Sequence, residues 1–299
     1  MTETPTLRPV RRPLDAFGDS FNVFLAHARP LFAALVRFPL PLLIAASVGF
    51  IVVYTLFQRR VALDSFGFDD IGWLLAVVAL ALVSYYASMW LWAMTLTALR
   101  YVADGRSIEE APLREEAAPF VWRLLGVGLL GGLCALPIIL LVLIPCLGWA
   151  GMLILGPMMA GWILVAQVVL VNERRGVLES LKRSHELLKG TYWGVAGALL
   201  LMLIVLGVLS MAAQAPVFIA TIGQAVTTGE APVTTPLWAM PFQVLGQVIS
   251  IFTTVLLLIF GALLYYSRIE ATEHAGLRAR VDALGDGPVE GATTDDVTP

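Results

Sequence analysis

Histidine and cysteine are scarce in this sequence, with three and two residues among 299. Cys134 and Cys146 lie twelve residues apart on one predicted helix, about 18 Å along its axis, which is too far for a disulfide. Neither cysteine has the spacing of a zinc motif. The signatures HExxH, GxSxG and GxxxxGK(S/T) are also missing, so zinc proteases, nucleophile-elbow hydrolases and P-loop proteins have no motif support. We expect no catalytic residue, metal or cofactor.

Charged residues are few as well, at 14%, whereas 59% of the residues are hydrophobic and the mean hydropathy is +0.84. A soluble domain of this length cannot hide so much apolar surface in one core. A helix needs about 20 apolar residues to cross a hydrocarbon layer of roughly 30 Å. We therefore predict an all-α, polytopic transmembrane bundle with six spans, at about residues 38–57, 71–99, 124–146, 148–171, 192–219 and 242–267.

Lysine and arginine are divided unequally between the two sides of this predicted bundle. Of the 19 basic residues, 17 fall in the N-terminal segment, the second-to-third and fourth-to-fifth connections, and the C-terminal tail. By the positive-inside rule, both termini are expected in the cytoplasm. Only Arg59 and Arg60 fall on the other side, in a segment that also holds Asp64, Asp69 and Asp70. A solvated loop is the simpler interpretation of that segment, and a cation or head-group site is the other.

Amphipathic or charged segments precede the first, third and fifth spans, and they begin near Leu14, Ser107 and Val177. The apolar face predicted for the first consists of Leu14, Phe17, Phe21, Phe24 and Leu25. The apolar face predicted for the third consists of Val177, Leu178, Leu181 and Leu188. Helices of this kind are expected to lie in the plane of the cytoplasmic interface. The chain would then consist of three units, each an interfacial helix followed by two spans, and their relation as repeats is a hypothesis.

The two ends of the chain lack the apolar character of the rest. We expect a disordered N-terminus over residues 1–13, a six-span membrane domain over 14–275, and an acidic, disordered tail over 276–299. The tail has acidic residues and no basic residue after Val281, a composition that cannot bury enough apolar surface to fold.

Ionisable residues are missing from the predicted spans, since all 22 acidic residues and all three histidines lie outside them. A charge buried in lipid costs free energy and is usually kept for a function, so this pattern argues against proton-coupled and catalytic mechanisms. Uncharged polar residues on the fifth and sixth spans are the candidates for a polar path: Gln214, Gln243, Gln247, Ser250 and Thr254. Hydrogen bonding between helices is the simpler explanation of these residues.

A second set of candidates lies on and just before the third amphipathic helix. It consists of Glu173, Lys182, Arg183, Ser184, His185 and Lys189. A solvated helix face with alternating charges is the simpler interpretation. The alternatives are a surface that binds lipid and, around Glu173, His185 and Glu186, a site for chemistry on lipid head groups.

The segment from Val171 to Trp193, VNERRGVLESLKRSHELLKGTYW, resembles a pattern in a broad bacterial and archaeal group. In that group, an acidic residue and a glycine follow the end of a span, and a helix with the pattern sL.rS..L.kG..w comes next. Leu264 to Arg268 is similar to the group's closing pattern lYy.lR. The group comprises the glycerophosphodiester phosphodiesterase membrane-domain-like proteins and related six-span proteins, and the resemblance covers residues 14 to 275.

In the named members of that group, the phosphodiesterase activity belongs to a separate soluble domain. The resemblance therefore implies a membrane architecture in the bacterial inner (plasma) membrane, and no catalytic residue. We expect a non-enzymatic component that associates with membrane lipids or with other membrane proteins, and no nucleic-acid partner. A transporter or permease component for a hydrophobic or zwitterionic substrate is the alternative. An enzyme that acts on lipid head groups is the least supported hypothesis.

Overall fold

A computed structural model of the chain describes residues 12–63, 71–141, 147–228, 238 and 240–273, which form eight helices and no strand. The helices are α1 (Pro13–Arg37), α2 (Pro39–Leu63), α3 (Ile71–Ala103), α4 (Glu110–Leu141), α5 (Leu147–Asn172), α6 (Val177–Leu188), α7 (Tyr192–Thr228) and α8 (Met240–Glu273). Six of them, all except α1 and α6, contain stretches long and apolar enough to cross a membrane. The predicted all-α, six-span bundle is confirmed.

The spanning helices extend beyond the predicted spans, and α4 does so most. It begins at Glu110 and runs through the third predicted span, so the charged segment near Ser107 is not a separate helix. Pro112 lies in its first turn, where the missing N–H of proline is not needed. Pro119 lies further inside, in a position that membrane helices tolerate. The middle unit therefore has a long helix where an interfacial helix and a span were expected.

Two turns fix the direction of α6 relative to its neighbours. In the connection 173–176, Arg174 has a φ of 53°, in the left-handed region that residues other than glycine seldom occupy. Gly190, after α6, has a φ of 82°, which glycine adopts without steric cost. Between these turns α6 lies across α5, and the Trp162 indole N–H donates a hydrogen bond of 2.9 Å to the Leu181 carbonyl.

α1 and α6 both pack against spanning helices, including α8, and we call these two helices the collar. A Cβ on Gly194, near the start of α7, would lie 3.4 Å from Pro13 of α1. Further along α1, the rings of Phe32 and Phe252 lie 4.7 Å apart, and Phe252 is in the middle of α8. On α5, the contact at Trp162 comes ten residues before the helix ends, which is about 15 Å of rise. α6 also reaches the ends of α5 and α8, because Arg183 contacts both Glu173, which follows α5, and Glu273, the last residue of α8.

The best-buried part of the protein lies inside this collar. Every residue of 93–99 in α3, 164–171 in α5 and 258–265 in α8 is buried, which means that protein surrounds these helices on all sides. The opposite half of the bundle exposes large apolar side chains such as Leu75, Leu129 and Val208. Those exposed surfaces suit contact with lipid.

The residues that the collar helices bury coincide only in part with the predicted apolar faces. In α1 the buried residues are Ala16, Ser20, Val23, Leu31, Ala34 and Leu35, whereas Leu14 and Leu25 are 60% and 74% exposed. In α6 the buried residues are Ser180, Leu181, Ser184, Leu187 and Leu188, and Leu178 is exposed. Small residues such as Ala16 and Ser180 allow a closer approach of the backbone than the predicted bulky faces would. Leu14, Leu25 and Leu178 lie on the outer side of the collar.

Several predictions lie outside the described residues. They concern the chain ends at 1–11 and 274–299, the segment 64–70, the turn at 142–146 with Cys146, and the side chains of Arg59 and Arg60. The proposed superposition of three repeated units stays a prediction.

Candidate functional site

Glu116 of α4 is the centre of an ion-pair cluster at the end of the bundle that carries the collar, here called the arginine-rich end. Its carboxylate accepts hydrogen bonds from the Tyr101 hydroxyl at 2.9 Å and from Arg174 at 2.7 Å. Arg100 and Arg106 lie 3.3 and 3.5 Å away. Charge-assisted hydrogen bonds of this kind are the stronger ones in proteins. The cluster joins α3, α4 and the connection between α5 and α6.

Glu173 is the centre of a second cluster on the same end. It lies 2.6 Å from Arg175 and 3.4 Å from Arg183, and it accepts a hydrogen bond of 3.3 Å from the Tyr265 hydroxyl. Arg183 also pairs with Glu273 at the end of α8. Burial alone would lower the pKa of Arg183, but the hydrogen bond to Glu273 and the charge of Glu173 outweigh it and raise the pKa. These pairs tie α6 to the ends of α5 and α8.

Sequence reasoning included Glu173 and Arg183 among the candidates and missed Glu116. The available signal was an acidic residue inside a helix-forming segment that continues into a span, together with tyrosines at the ends of neighbouring spans. Both clusters hold carboxylates and arginines together, so they serve to fasten helices. Of the residues named for the least supported hypothesis, Glu186 joins the Glu173 cluster through Arg183, which lies 3.8 Å from it, whereas His185 contacts Tyr192.

The basic residues of α6 that do not join these clusters face outward. Lys182, His185 and Lys189 are all exposed and recur three and four residues apart, so they form one row along the helix. We call them the α6 basic row. The Tyr192 hydroxyl lies 2.5 Å from Nδ1 of His185. Ser184 is on the buried side, where its hydroxyl donates to a carbonyl of its own helix.

An apolar pocket of about 410 Å³ opens beside the α6 basic row, between α5, α6 and α7. Its lining residues are Leu155, Met158, Met159, Trp162, His185 and Tyr192. The indole of Trp162 is held by its hydrogen bond to α6, whereas methionine side chains adapt readily to an apolar guest. His185 and Tyr192 supply the few polar atoms at the rim. His185 belongs both to the pocket wall and to the basic row, and we call the pocket and the row together the α6 site.

A second cavity, of about 280 Å³, lies between α2, α7 and α8, away from the arginine-rich end. Four of the five predicted polar-path residues line it, namely Gln214, Gln243, Gln247 and Ser250. Thr254 is not in its wall, and its hydroxyl donates to the Ser250 carbonyl at 2.8 Å. We call this space the outer polar cavity.

α2 contributes side chains to the outer polar cavity that sequence reasoning did not single out: Phe50, Ile51, Tyr54 and Thr55. The rings of Phe50 and Tyr54 are nearly parallel, with centroids 5.7 Å apart and planes at 7°. The sequence pattern that could have identified them is an aromatic pair four residues apart, Phe50 and Tyr54, followed directly by Thr55. Among the described residues, those that line this cavity include none that is charged.

Gly246 sets the distance between α7 and α8 at this cavity. A Cβ on this residue would lie 2.8 Å from Cγ of Gln214 and 3.3 Å from its Cδ, so any larger residue would push Gln214 aside. The two helices therefore lie close together on one side of the cavity, and the cavity occupies the space between them and α2.

Over the part of the chain that the structure describes, no three His, Cys, Asp or Glu side chains converge as metal ligands. No family model, curated protein or solved structure matches the chain. The resemblance of the Val171–Trp193 segment therefore stays a prediction. Fold and composition define the class: a multi-pass, α-helical membrane protein.

Proposed function

We propose that this protein is a non-enzymatic component of the bacterial inner membrane that binds anionic phospholipid at its α6 site. In this proposal the arginine-rich end and both termini face the cytoplasm, because 17 of the 19 lysines and arginines belong to that side of the predicted topology. The collar then lies at the level of the lipid head groups of the inner leaflet.

The observation that supports the proposal is the position of an apolar pocket directly beside a row of basic side chains. A phospholipid has the same two parts, an acyl chain and an anionic phosphate. Lys182 and Lys189 would contact the phosphate, and the pocket lined by Met158, Met159 and Trp162 would take the chain. Each basic residue near an anionic leaflet contributes about 1 kcal/mol, and each buried methylene contributes about 0.8 kcal/mol.

The outer surface of the collar supports the same placement. Leu14 and Leu25 of α1, Leu178 of α6 and Trp193 at the start of α7 are all at least 60% exposed. A water-facing helix would have little reason to expose them, whereas an interfacial helix inserts such residues among the acyl chains. Tryptophan is typical of the membrane–water interface.

Lipid retention through purification tests the proposal. The protein would be extracted in mild detergent and the bound lipids measured by native mass spectrometry, for the wild type and for a Lys182→Gln/Lys189→Gln variant. We expect the wild type to retain phosphatidylglycerol or cardiolipin in preference to phosphatidylethanolamine. Loss of two basic contacts should weaken anionic lipid binding roughly 30-fold.

An Arg29→Gln/Arg123→Gln variant is the matched control, because it removes the same charge from exposed positions on α1 and α4. It should retain lipid like the wild type. Equal loss from both double variants would mean that net charge alone attracts lipid. Unchanged retention in Lys182→Gln/Lys189→Gln would contradict the proposal.

A further inference from the structure

We propose that the outer polar cavity binds a small, uncharged molecule with several hydroxyl groups, of the polyol or monosaccharide class. The cavity lies between α2, α7 and α8, at the opposite end of the bundle from the α6 site. The inference is therefore independent of lipid binding, and either could fail alone.

The hydrogen-bonding groups of the cavity favour hydroxyl ligands. Gln214, Gln243 and Gln247 line the wall, and each amide offers both a carbonyl acceptor and an NH₂ donor. A hydroxyl group can donate to the first and accept from the second. A carboxylate can only accept and an ammonium can only donate, so neither matches a wall of this kind as well.

None of the described residues that line the cavity is charged, which also favours an uncharged ligand. A charged ligand that leaves water for an apolar surrounding loses hydration free energy, which only opposite charges or metals restore. The described lining residues offer amides, hydroxyls and aromatic rings instead. Ions and zwitterions are thus disfavoured, including the zwitterionic substrates expected for a permease.

The α2 side of the cavity supplies an apolar surface beside these polar groups. Phe50 and Tyr54 form a stacked pair of nearly parallel rings, and Ile51 lies between them in sequence. The carbon skeleton of a polyol has one face of C–H groups that suits such a surface. The volume of about 280 Å³ is just below the range of drug-sized sites, so it suits a ligand no larger than a monosaccharide.

Hydrogen bonding by the threonines of α8 does not account for the cavity. The hydroxyls of Thr253 and Thr254 already donate to the Ser250 carbonyl, both at 2.8 Å, so the threonines of α8 are satisfied within their own helix. Gly246 brings Gln214 against α8, yet the space toward α2 stays open. A polar cavity of this size is filled by solvent or by a ligand.

Saturation-transfer difference NMR on the protein in lipid nanodiscs tests the inference, because it detects weak ligands. The probes are xylitol and glucose, with glycine betaine as the zwitterionic comparison. We expect transfer to xylitol or glucose and none to betaine. A Gln214→Leu/Gln247→Leu variant should bind the polyol at least tenfold more weakly, since it removes two amides and keeps the volume.

Thr254→Val is the matched control, because it also replaces a polar residue on α8 but lies outside the cavity wall. It should bind like the wild type, and so should Lys182→Gln/Lys189→Gln. If the double glutamine variant is not monodisperse, Gln247→Leu alone provides the test. Transfer to neither polyol, equal transfer in the glutamine variant, or preferential transfer to betaine would each overturn the inference.

Discussion

Arg174 adopts a left-handed backbone conformation, with a φ of 53°, and its guanidinium lies 2.7 Å from the carboxylate of Glu116. The two residues are 58 positions apart in the chain. A strained backbone persists where surrounding contacts hold it in place, and here the ion pair fastens the connection between α5 and α6 to α4. That connection sets the position of α6, and hence of the α6 site.

A comparison of glycine and alanine at position 174 should separate the effect of backbone strain on stability from the effect of the ion pair. Arg174→Gly and Arg174→Ala both lose the pair with Glu116, but only glycine adopts this φ freely. We expect Arg174→Gly to be more stable than Arg174→Ala by about 1 kcal/mol. Reversible unfolding in mixed detergent micelles measures the difference in the free energy of unfolding. Equal stability of the two variants would show that the backbone at this position is not strained.

Neutralising Glu116 should loosen the arginine-rich end. Glu116→Gln removes the carboxylate that Arg174 contacts and one of the two that Arg100 contacts, the other being Asp104, and the loss of charge-assisted hydrogen bonds typically costs about 1–3 kcal/mol. Glu115→Gln is the matched control, because Glu115 is exposed on the same helix. Its free energy of unfolding should stay within about 0.5 kcal/mol of the wild type. A similar effect of both substitutions would contradict the central position of Glu116.

Gly261 should be intolerant of even one added methyl group. A Cβ there would lie 2.6 Å from Cγ of Leu164, inside the buried core of α5 and α8. We expect Gly261→Ala to lower the free energy of unfolding by about 1–3 kcal/mol, as overpacked cores do. Gly197→Ala on α7 has open space around the new atom, so it should be neutral or slightly stabilising. Thermal unfolding of the two variants side by side gives the comparison.

The six spans could be predicted from the sequence because length and apolar composition alone determine them. The collar could be predicted only in part. Helical spacing identified α1 and α6 and their apolar faces, but it did not indicate which residues contact protein: Leu14, Leu25 and Leu178 are exposed, whereas Leu181 and Leu188 are buried. In a membrane the outer side is apolar as well, so hydrophobicity does not distinguish protein contact from lipid contact. Small residues such as Ala16 are the better guide.

The residues of the candidate sites could also be predicted only in part. Spacing along one helix brought together Gln243, Gln247 and Ser250, which do line one cavity. Spacing along α8 could not predict that Phe50 and Tyr54 of α2 line the same cavity, because contacts between helices far apart in the chain depend on tertiary packing. Thr254 has the right spacing, yet its hydroxyl bonds to its own helix.

The orientation of the bundle can be tested with two single cysteines in a background where both native cysteines are replaced by serine. Ser107→Cys is exposed at the arginine-rich end, and Trp238→Cys is exposed at the opposite end. A membrane-impermeant maleimide should label position 238 in spheroplasts and position 107 only after permeabilisation. The reverse pattern would mean that the arginine-rich end faces outward.

Photo-crosslinking from inside the α6 site tests the proposed function most directly. A photoreactive amino acid would replace Met159, which lines the pocket, and in a second variant Met152, which is exposed on the same helix outside it. After irradiation in native membranes, mass spectrometry identifies the lipids attached at each position. We expect adducts enriched in anionic phospholipid at position 159 and adducts of bulk lipid composition at position 152. Bulk composition at both positions would contradict the proposed function.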